Sequence, residues 1–284
     1  MKTIKTAIQG VAGAFHDVAA RKYFQDWQVD ILPCDTFREA FEKVNNKEAD
    51  VAVIAIENSL AGSLLPNYTL LKNSGLKIAG EIYLRIEQHL MAMPGLSLDE
   101  ISEVHSHPLA IIQCEQFLEP LRKRGVKIID AVDTALSAKR IAGEKLHGIA
   151  ALASELAAEM YGLEIIARGV ETNKRNFTRF LILAPEEYLV TLSEKDNPAA
   201  NKASLGFTLP HQTGSLSQIL SILAFYRLNL TKIQSAPIVG RDWEYYFYID
   251  LIFDNREMFT KAIAAISPLM DQLYILGEYV SGRE

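Results

Sequence analysis

Segments with the spacing of β-strands alternate with segments of helical spacing through residues 1–185, and this limits the fold class more than any other feature. The strand-like runs are short and apolar, and we predict them at residues 6–10, 51–56, 78–83, 103–105, 126–129 and 149–152. The helical segments between them are predicted at residues 17–24, 36–44, 64–72, 111–118, 134–142 and 154–161. Such alternation is typical of α/β folds with mostly parallel sheets. The runs from residue 103 onward predict a second α/β lobe, and residues 168–183 are predicted to return to the first.

The last part of the chain has a different order of elements. Residues 186–202 are polar and predict a linker. From residue 203 the order is strand (204–209), helix (215–226), two strands (230–238 and 245–253), helix (256–270) and strand (273–279). That order, βαββαβ, is the ferredoxin-like one. The run 245–253 is apolar enough for a central strand.

Composition excludes several classes of protein. Of 284 residues 49% are apolar, so the chain is long enough to bury a core and to form two or three compact units. Polar residues interrupt the first ten positions, and no run of about eighteen apolar residues follows. We therefore expect a cytoplasmic protein that does not enter a membrane. A formal net charge of −6 argues against broad nucleic-acid binding.

Cysteine and histidine do not predict a metal, redox or hydrolase site. Cys34 and Cys114 lie far apart in sequence, which favours buried reduced thiols. The six histidines have no recognisable ligand spacing, and neither G-x-S-x-G nor H-E-x-x-H occurs. The turn from Gly10 to Gly13 lacks the third glycine and the lysine of nucleotide-binding fingerprints.

A basic segment at residues 173–180 is the first candidate for chemistry. It contains three cations, two amides and the hydroxyl of Thr178, directly before an apolar strand. An arginine fork matches a carboxylate bidentately, and a threonine hydroxyl can donate a hydrogen bond to a nearby oxygen. A solvated basic turn before a strand explains the same composition equally well.

Two further polar clusters follow predicted strands. The first is Glu57-Asn58-Ser59 with Gly62, and the second is Ser106-His107-Pro108 with Gln113 and Cys114. Open α/β sheets bind ligands at the carboxyl ends of their strands, so both clusters are candidate site residues. Both can also cap the helices that follow, with Pro108 at a first helical position.

Taken together, these clusters resemble the prephenate dehydratase family, in that family's order. The motifs are residues 10–15 (GVAGAF), 56–62 (IENSLAG), 106–108 (SHP) with Gln113 and Cys114, and 176–180 (NFTRF). The resemblance implies a two-lobed catalytic domain like a periplasmic binding protein, at residues 1–185, with lobe one at about 1–77 and 166–185 and lobe two at about 78–165. It also implies an ACT domain at residues 203–284.

By this resemblance the chain converts prephenate to phenylpyruvate in L-phenylalanine biosynthesis, as a hydro-lyase without cofactor or metal. Thr178 would assist departure of the ring hydroxyl, as proton donor or hydrogen-bond donor, and a weak acid of this kind needs a polarising neighbour. The resemblance assigns Glu57, Asn58, Ser106 and Gln113 to the catalytic cleft. It assigns substrate binding to Ser59, Asn176, Arg179, Phe180, Gly13 and Ala14.

The C-terminal part departs from the family's effector motif. Gly214, Ser215 and Leu216 resemble the effector-binding turn, and Asn229 is present, but Gln234-Ser235-Ala236-Pro237 replaces a Glu-Ser-Arg-Pro pattern. We still expect amino-acid sensing, with L-phenylalanine as effector and a homodimer or homotetramer; a purely oligomerising domain is the alternative. Arogenate dehydratase and a non-catalytic amino-acid sensor remain alternative functions.

Overall fold

The computed structural model describes residues 2–192, 200–238 and 240–282. The strands of this part of the chain are β1 (Thr3–Gln9), β2 (Gln28–Cys34), β3 (Val51–Asn58), β4 (Gly62–Ser63), β5 (Lys77–Arg85), β6 (His89–Ala92), β7 (Glu103–Ser106), β8 (Lys127–Asp130), β9 (Ile149–Ala153), β10 (Glu164–Ala167), β11 (Phe177–Ala184), β12 (Lys202–Thr208), β13 (Asn229–Pro237), β14 (Tyr245–Ile252) and β15 (Gln272–Tyr279). The α-helices are α1 (Phe15–Tyr23), α2 (Phe37–Asn45), α3 (Leu65–Ser74), α4 (Pro108–Gln113), α5 (Glu115–Lys123), α6 (Thr134–Glu144), α7 (Glu155–Tyr161), α8 (Leu189–Leu192), α9 (Ser215–Phe225) and α10 (Arg256–Ile266).

The first sheet has the strand order β2-β1-β3-β11-β5, with β4 paired to β3. Strand β1 pairs in parallel with both β2 and β3, as the alternating pattern predicts. Residues 51–56 of β3 are all buried, as expected for a strand covered on both faces. Strand β11 is the neighbour of β3, and the end of β3 lies beside the start of β11, where the Ser59 N–H donates to the Phe177 carbonyl at 2.8 Å.

The second sheet has the order β10-β6-β9-β7-β8 and is mixed. Strand β7 pairs in parallel with β8 and β9, whereas β6 is antiparallel to β9 and β10. Alternate residues enter two different cores: Leu90 and Leu152 lie in one with α5, and Met91 and Ala151 lie in the other with α6 and α7. The sheet is thus covered on both faces.

The third sheet is antiparallel, with the order β13-β14-β12-β15. Its element order is the predicted βαββαβ, and β14 is an interior strand, as its apolar sequence predicts. Helices α9 and α10 cover this sheet with a core that includes Ile219, Leu223, Phe259 and Ile266.

Contacts divide the chain into two compact units. The first unit is Met1–Gly62 with Tyr83–Phe180, and the second is Ser63–Ile82 with Leu181–Glu284. Helix α3 and the first part of β5 thus cluster with the C-terminal sheet, and β5 as a strand belongs to the first sheet. The domain and lobe boundaries given above stay predictions.

Four edge or short strands, β2, β4, β6 and β10, were not predicted, and one predicted helix is divided into two. Strand β2 lies at a sheet edge, and its Asp30 and Pro33 are residue types that are rare in strands. Strands β6 and β10 have only four residues each, too few for a clear periodic pattern. The helix predicted at 111–118 was wrong as a single element, because Cys114 leaves helical geometry (φ −104°, ψ 17°) between α4 and α5. Helix α10 ends at Ile266 rather than 270, and a 3₁₀ turn containing Pro268 follows. In the predicted linker, residues 193–199 lie outside the described part of the chain.

Candidate active site

Asn58 and Thr178 lie together on neighbouring strands of the first sheet. Asn58 is the last residue of β3, and Thr178 is the second residue of β11. The Asn58 Nδ2 donates to Thr178 Oγ1 at 3.0 Å and to Asn176 Oδ1 at 2.8 Å. All three side chains are buried. The structure therefore brings three of the predicted site residues into one hydrogen-bonded group.

Hydrogen bonds fix which end of the Asn58 amide faces Thr178. Its Oδ1 accepts from the backbone N–H groups of Leu60 and Ala61, both at 2.9 Å. Only an oxygen can accept from both, so the amide nitrogen must face β11. As a consequence Thr178 Oγ1 accepts a hydrogen bond, and its own proton is directed elsewhere.

Asn176 has a donor that the protein does not use. Its side chain is fully buried, its Oδ1 accepts from Asn58, and its Nδ2 has no hydrogen-bond partner in the described part of the chain. An unpaired buried donor costs about 1–3 kcal/mol. Asn176 lines a cavity of about 450 Å³, together with Ala61, Gln113, Thr172, Asn173 and residues of α4 and α5. Asn176 therefore holds an unused hydrogen-bond donor beside this cavity.

Three more predicted residues, Ser59, Arg179 and Glu57, lie at the end of β3 or the start of β11. Of these, Ser59 already forms hydrogen bonds with the backbone. The Ser59 hydroxyl donates to the Arg175 carbonyl at 3.0 Å and accepts from the Phe177 N–H at 2.9 Å. Arg179 is buried, with its guanidinium 6.0 Å from the centre of the Tyr83 ring. Glu57 is half-buried in β3, next to Asn58.

The second polar cluster lies at the end of β7. Ser106 is fully buried and donates to the Leu152 carbonyl at 2.8 Å, so its proton is bound within the sheet. His107 caps α4, where its Nδ1 accepts from the Leu109 N–H, and Pro108 follows at the first helical position as predicted. Gln113 ends α4 and lines the cavity, and its carbonyl accepts from the Thr172 N–H.

Gly13 and Ala14 lie at the start of α1, in tight contact with α7. Gly13 has φ +85°, its N–H donates to buried Asp17 at 2.8 Å, and its carbonyl accepts from the Ser154 hydroxyl. A Cβ at Gly13 would lie 3.0 Å from the Cα of Ala157. Both the backbone angle and this close approach therefore require glycine.

Phe180 is 1% exposed and packs edge-on against the ring of His16 (centroids 5.0 Å apart). His16 also contacts Phe37, and its Nε2 is buried without a hydrogen-bond partner among the residues described. Burial lowers the pKa of His16 from 6.5 to about 4. The imidazole is thus a neutral part of an aromatic cluster at neutral pH.

This pKa predicts an acid-sensitive fold. The unfolded chain protonates His16 below about pH 6.5, whereas the folded chain keeps it neutral down to about 4. The unfolded state therefore binds more protons in this window, and folding stability falls as pH falls through it, by up to about 3 kcal/mol. Urea denaturation at pH 7 and 4.5 measures this against His16→Asn, in which the contribution is absent. Equal pH dependence in both proteins would contradict the assignment.

Sequence reasoning missed the buried acid Glu171. Its side chain is inaccessible to solvent and contacts Arg85, Lys174 and the Gln88 N–H. The only signal in the sequence is an isolated acid five residues before Asn176, between an apolar run and the basic segment. Within the residues described, no three His, Cys, Asp or Glu side chains lie close enough to hold a metal ion, and no helix is long and apolar enough to cross a bilayer.

The predicted effector residues do not all come together within one chain. Gly214 (φ +87°) precedes Ser215 and Leu216 at the start of α9, and Asn229 begins β13 beyond the other end of that helix. The eleven residues of α9 span roughly 16 Å. Because β12 and β13 both run antiparallel to β14, β13 returns toward the start of α9, so Gln234 and Ser235 lie at the end of the sheet nearer Gly214.

Comparisons with known proteins agree with the family resemblance. The family model described as Prephenate dehydratase matches residues 6–188. Arogenate dehydratase 5, chloroplastic, from Arabidopsis thaliana is 38% identical over 98% of this chain and 67% of its own length. The Aquifex aeolicus protein named Bifunctional chorismate mutase/prephenate dehydratase is 34% identical over 98% of this chain and 74% of its own length.

The fold also has a similar solved structure. One described as "GqqA- a novel type of quorum quenching acylases" has a TM-score of 0.84 and 32% identity, covering 98% of both chains. The family match spans the strand ends that carry Asn58, Asn176 and Thr178. On this ground the chain belongs to the prephenate dehydratase family.

Proposed function

We propose that this chain converts prephenate to phenylpyruvate, with Thr178 assisting departure of the ring hydroxyl. The carbon–carbon bond to the ring carboxylate breaks, carbon dioxide leaves, and the electron pair enters the ring and expels the hydroxyl. With one proton the products are phenylpyruvate, carbon dioxide and water. Because the ring becomes aromatic, orientation and stabilisation of the leaving oxygen are the main tasks of the protein.

The observation that carries this proposal is the Asn58–Thr178 hydrogen bond. Thr178 Oγ1 accepts from Asn58 Nδ2 at 3.0 Å, which polarises the hydroxyl and frees its proton to point at the substrate. Asn58 thus supplies the polarising neighbour that a threonine donor requires. In this proposal Asn58 positions Thr178, and Thr178 touches the leaving oxygen.

Substrate binding is assigned to the groups around this pair. The free Nδ2 of Asn176 donates to a carboxylate, and the guanidinium of Arg179 supplies positive charge. Ser59, Glu57, Ser106 and Gln113 remain proposed cleft residues, with Ser59 and Ser106 limited by the backbone bonds that their hydroxyls already make. Gly13 and Ala14 shape the turn at α1, and Phe180 supports the site from the core.

Arogenate is the competing substrate, because relatives at 38% identity bear the name arogenate dehydratase. The two substrates differ by an ammonium group in place of a ketone. Purified protein supplied with each at equal concentration tests the proposal, with phenylpyruvate and phenylalanine measured separately. Faster formation of phenylpyruvate supports the proposal that prephenate is the substrate. Turnover of arogenate alone would assign arogenate as the substrate instead.

Amide hydrolysis is the second activity to test, given the 32% identity to the structure described as a quorum quenching acylase. A threonine nucleophile needs a general base. The described partner of the Thr178 hydroxyl is the Asn58 amide, which is not a base. This geometry favours the elimination over hydrolysis.

The C-terminal βαββαβ unit is proposed to be an ACT domain that senses an amino acid, in a homodimer or homotetramer. Strand β13 is an edge strand of the described sheet, so its outer side can pair with a second copy. Antiparallel pairing of two β13 strands would bring Asn229 of the second copy toward the end of β13 nearer Gly214, whereas Asn229 of the same chain lies at the opposite end of that strand. Boundaries at residues 185 and 203, and a cytoplasmic location, are part of this proposal.

Phenylalanine is expected to change the rate of phenylpyruvate formation by about fivefold or more, as typical couplings between two sites do. The measurement is a titration of initial rate with L-phenylalanine, and D-phenylalanine is the matched control. A flat response to both would contradict sensing of phenylalanine and favour a domain that only mediates assembly.

A further inference from the structure

We propose that the buried carboxylate of Glu171 is a positioning residue for this reaction, which rests on the proposed function above. It holds the segment 170–176, defined here as the site loop, against the end of β5. The site loop ends in Asn176, whose Oδ1 accepts from the same Asn58 amide that polarises Thr178. Glu171 itself does not contact Thr178, so its effect passes through the loop.

Three donors surround the Glu171 carboxylate. The Gln88 N–H donates to Oε2 at 3.0 Å, Arg85 Nη2 donates to Oε1 at 3.3 Å, and Lys174 Nζ lies 3.5 Å from Oε1. The carboxylate side chain has no solvent-accessible surface. Hydrogen bonds to a buried charge of this kind are stronger than neutral ones and fix geometry.

Backbone contacts show what the carboxylate holds in register. The Val170 N–H donates to the Gln88 carbonyl at 2.7 Å, and the Ile86 N–H donates to the Asn176 carbonyl at 2.8 Å. Arg85 Nε donates to the Lys174 carbonyl at 3.1 Å. The site loop is thus bonded at both ends to residues 85–88, with Glu171 between them.

A neutral amide cannot replace this carboxylate. Glutamine has one acceptor oxygen, so its NH₂ group would face either the Gln88 N–H or the two cations. On that side two hydrogen-bond donors would face each other with no acceptor between them. The site loop would shift, and the shared donor of Asn58 would lose its alignment with Asn176 and Thr178.

The test is Glu171→Gln, with Glu171→Asp as the charge-preserving variant. A small misplacement of reacting groups can lower a rate by about a hundredfold, so we expect kcat to fall by roughly ten- to a hundredfold in Glu171→Gln. KM for prephenate should rise by a smaller factor than kcat falls, because the shifted loop carries the carboxylate donor Asn176, whereas the Thr178 hydroxyl acts on the leaving oxygen. Glu171→Asp should recover part of kcat.

A merely structural role would give a different result: a lower melting temperature and folded fraction, with kcat per folded molecule unchanged. Glu155→Gln is the matched control, because Glu155 pairs with Arg168 at the surface, and its kcat should equal that of wild type. Should Glu171→Gln not fold, Arg85→Gln, which removes one partly exposed partner, is expected to lower kcat about three- to tenfold. A folded variant of either kind with wild-type kcat overturns the inference, whereas an inactive wild type would overturn the proposed function instead.

Discussion

Thr178→Ala is expected to lower kcat for prephenate by about a hundredfold to ten-thousandfold, which is the range for loss of a positioned acid or oxyanion donor. The substitution removes the one hydroxyl that Asn58 Nδ2 polarises and leaves the strand β11 backbone intact. Initial rates of phenylpyruvate formation at saturating prephenate measure it. KM should change little if the hydroxyl acts mainly in the transition state.

Thr178→Ser is the matched control for this prediction. Serine keeps the hydroxyl and loses only a methyl group at an 8% exposed position. We expect its kcat to stay within about tenfold of wild type, since the donor is retained. A Thr178→Ala protein that is as active as wild type would show that the leaving oxygen finds its donor elsewhere.

Lys202→Met is expected to lower the free energy of unfolding by about 3–5 kcal/mol, because it removes the buried cation that donates to both oxygens of a buried carboxylate. Lys202 begins β12 and is 1% exposed, and its Nζ donates to both oxygens of Glu81, at 2.8 and 2.9 Å. Glu81 also accepts from the Gly282 N–H at 3.0 Å. This pair joins β5 to the C-terminal sheet within the second unit.

Lys261→Met provides the matched control in the same unit. Lys261 pairs with Glu257 at 2.7 Å, but both side chains are more than half exposed. An exposed pair on a helix contributes about 0.5 kcal/mol or less. Urea denaturation of both variants makes the comparison. Equal losses of unfolding free energy in the two variants would show that burial of the Lys202–Glu81 pair does not matter. The double variant Lys202→Met with Glu81→Leu, which removes both buried charges, should recover most of the loss.

The element order was largely predictable, since it depends on local periodicity. In the C-terminal unit the predicted starts and ends fall within two residues of the observed ones for β12, α9, β13, β14 and β15. Strand β2 was missed because an edge strand need not be apolar, and the break at Cys114 depends on tertiary contacts. Strand pairing, such as β11 next to β3, has no local signal.

The sequence predicted which residues belong to the site, but it did not predict the hydrogen bonds between them. Motif order brought Asn58, Asn176 and Thr178 together as candidates, and the structure places them within hydrogen-bond distance. The orientation of the Asn58 amide depends on the N–H groups of Leu60 and Ala61, which only the folded turn aligns. Glu171 could not be identified, because its partners at residues 85–88 lie far away in sequence.

The most direct test of the central claim is the absorbance of phenylpyruvate formed from prephenate by wild-type and Thr178→Ala protein in one experiment. The buffer is kept at neutral pH with a protein-free blank, so that spontaneous loss of carbon dioxide and water is subtracted. The account predicts rapid formation by wild type and a rate at least about a hundredfold lower for the variant. Absence of phenylpyruvate from wild type, or equal rates in both proteins, would contradict it.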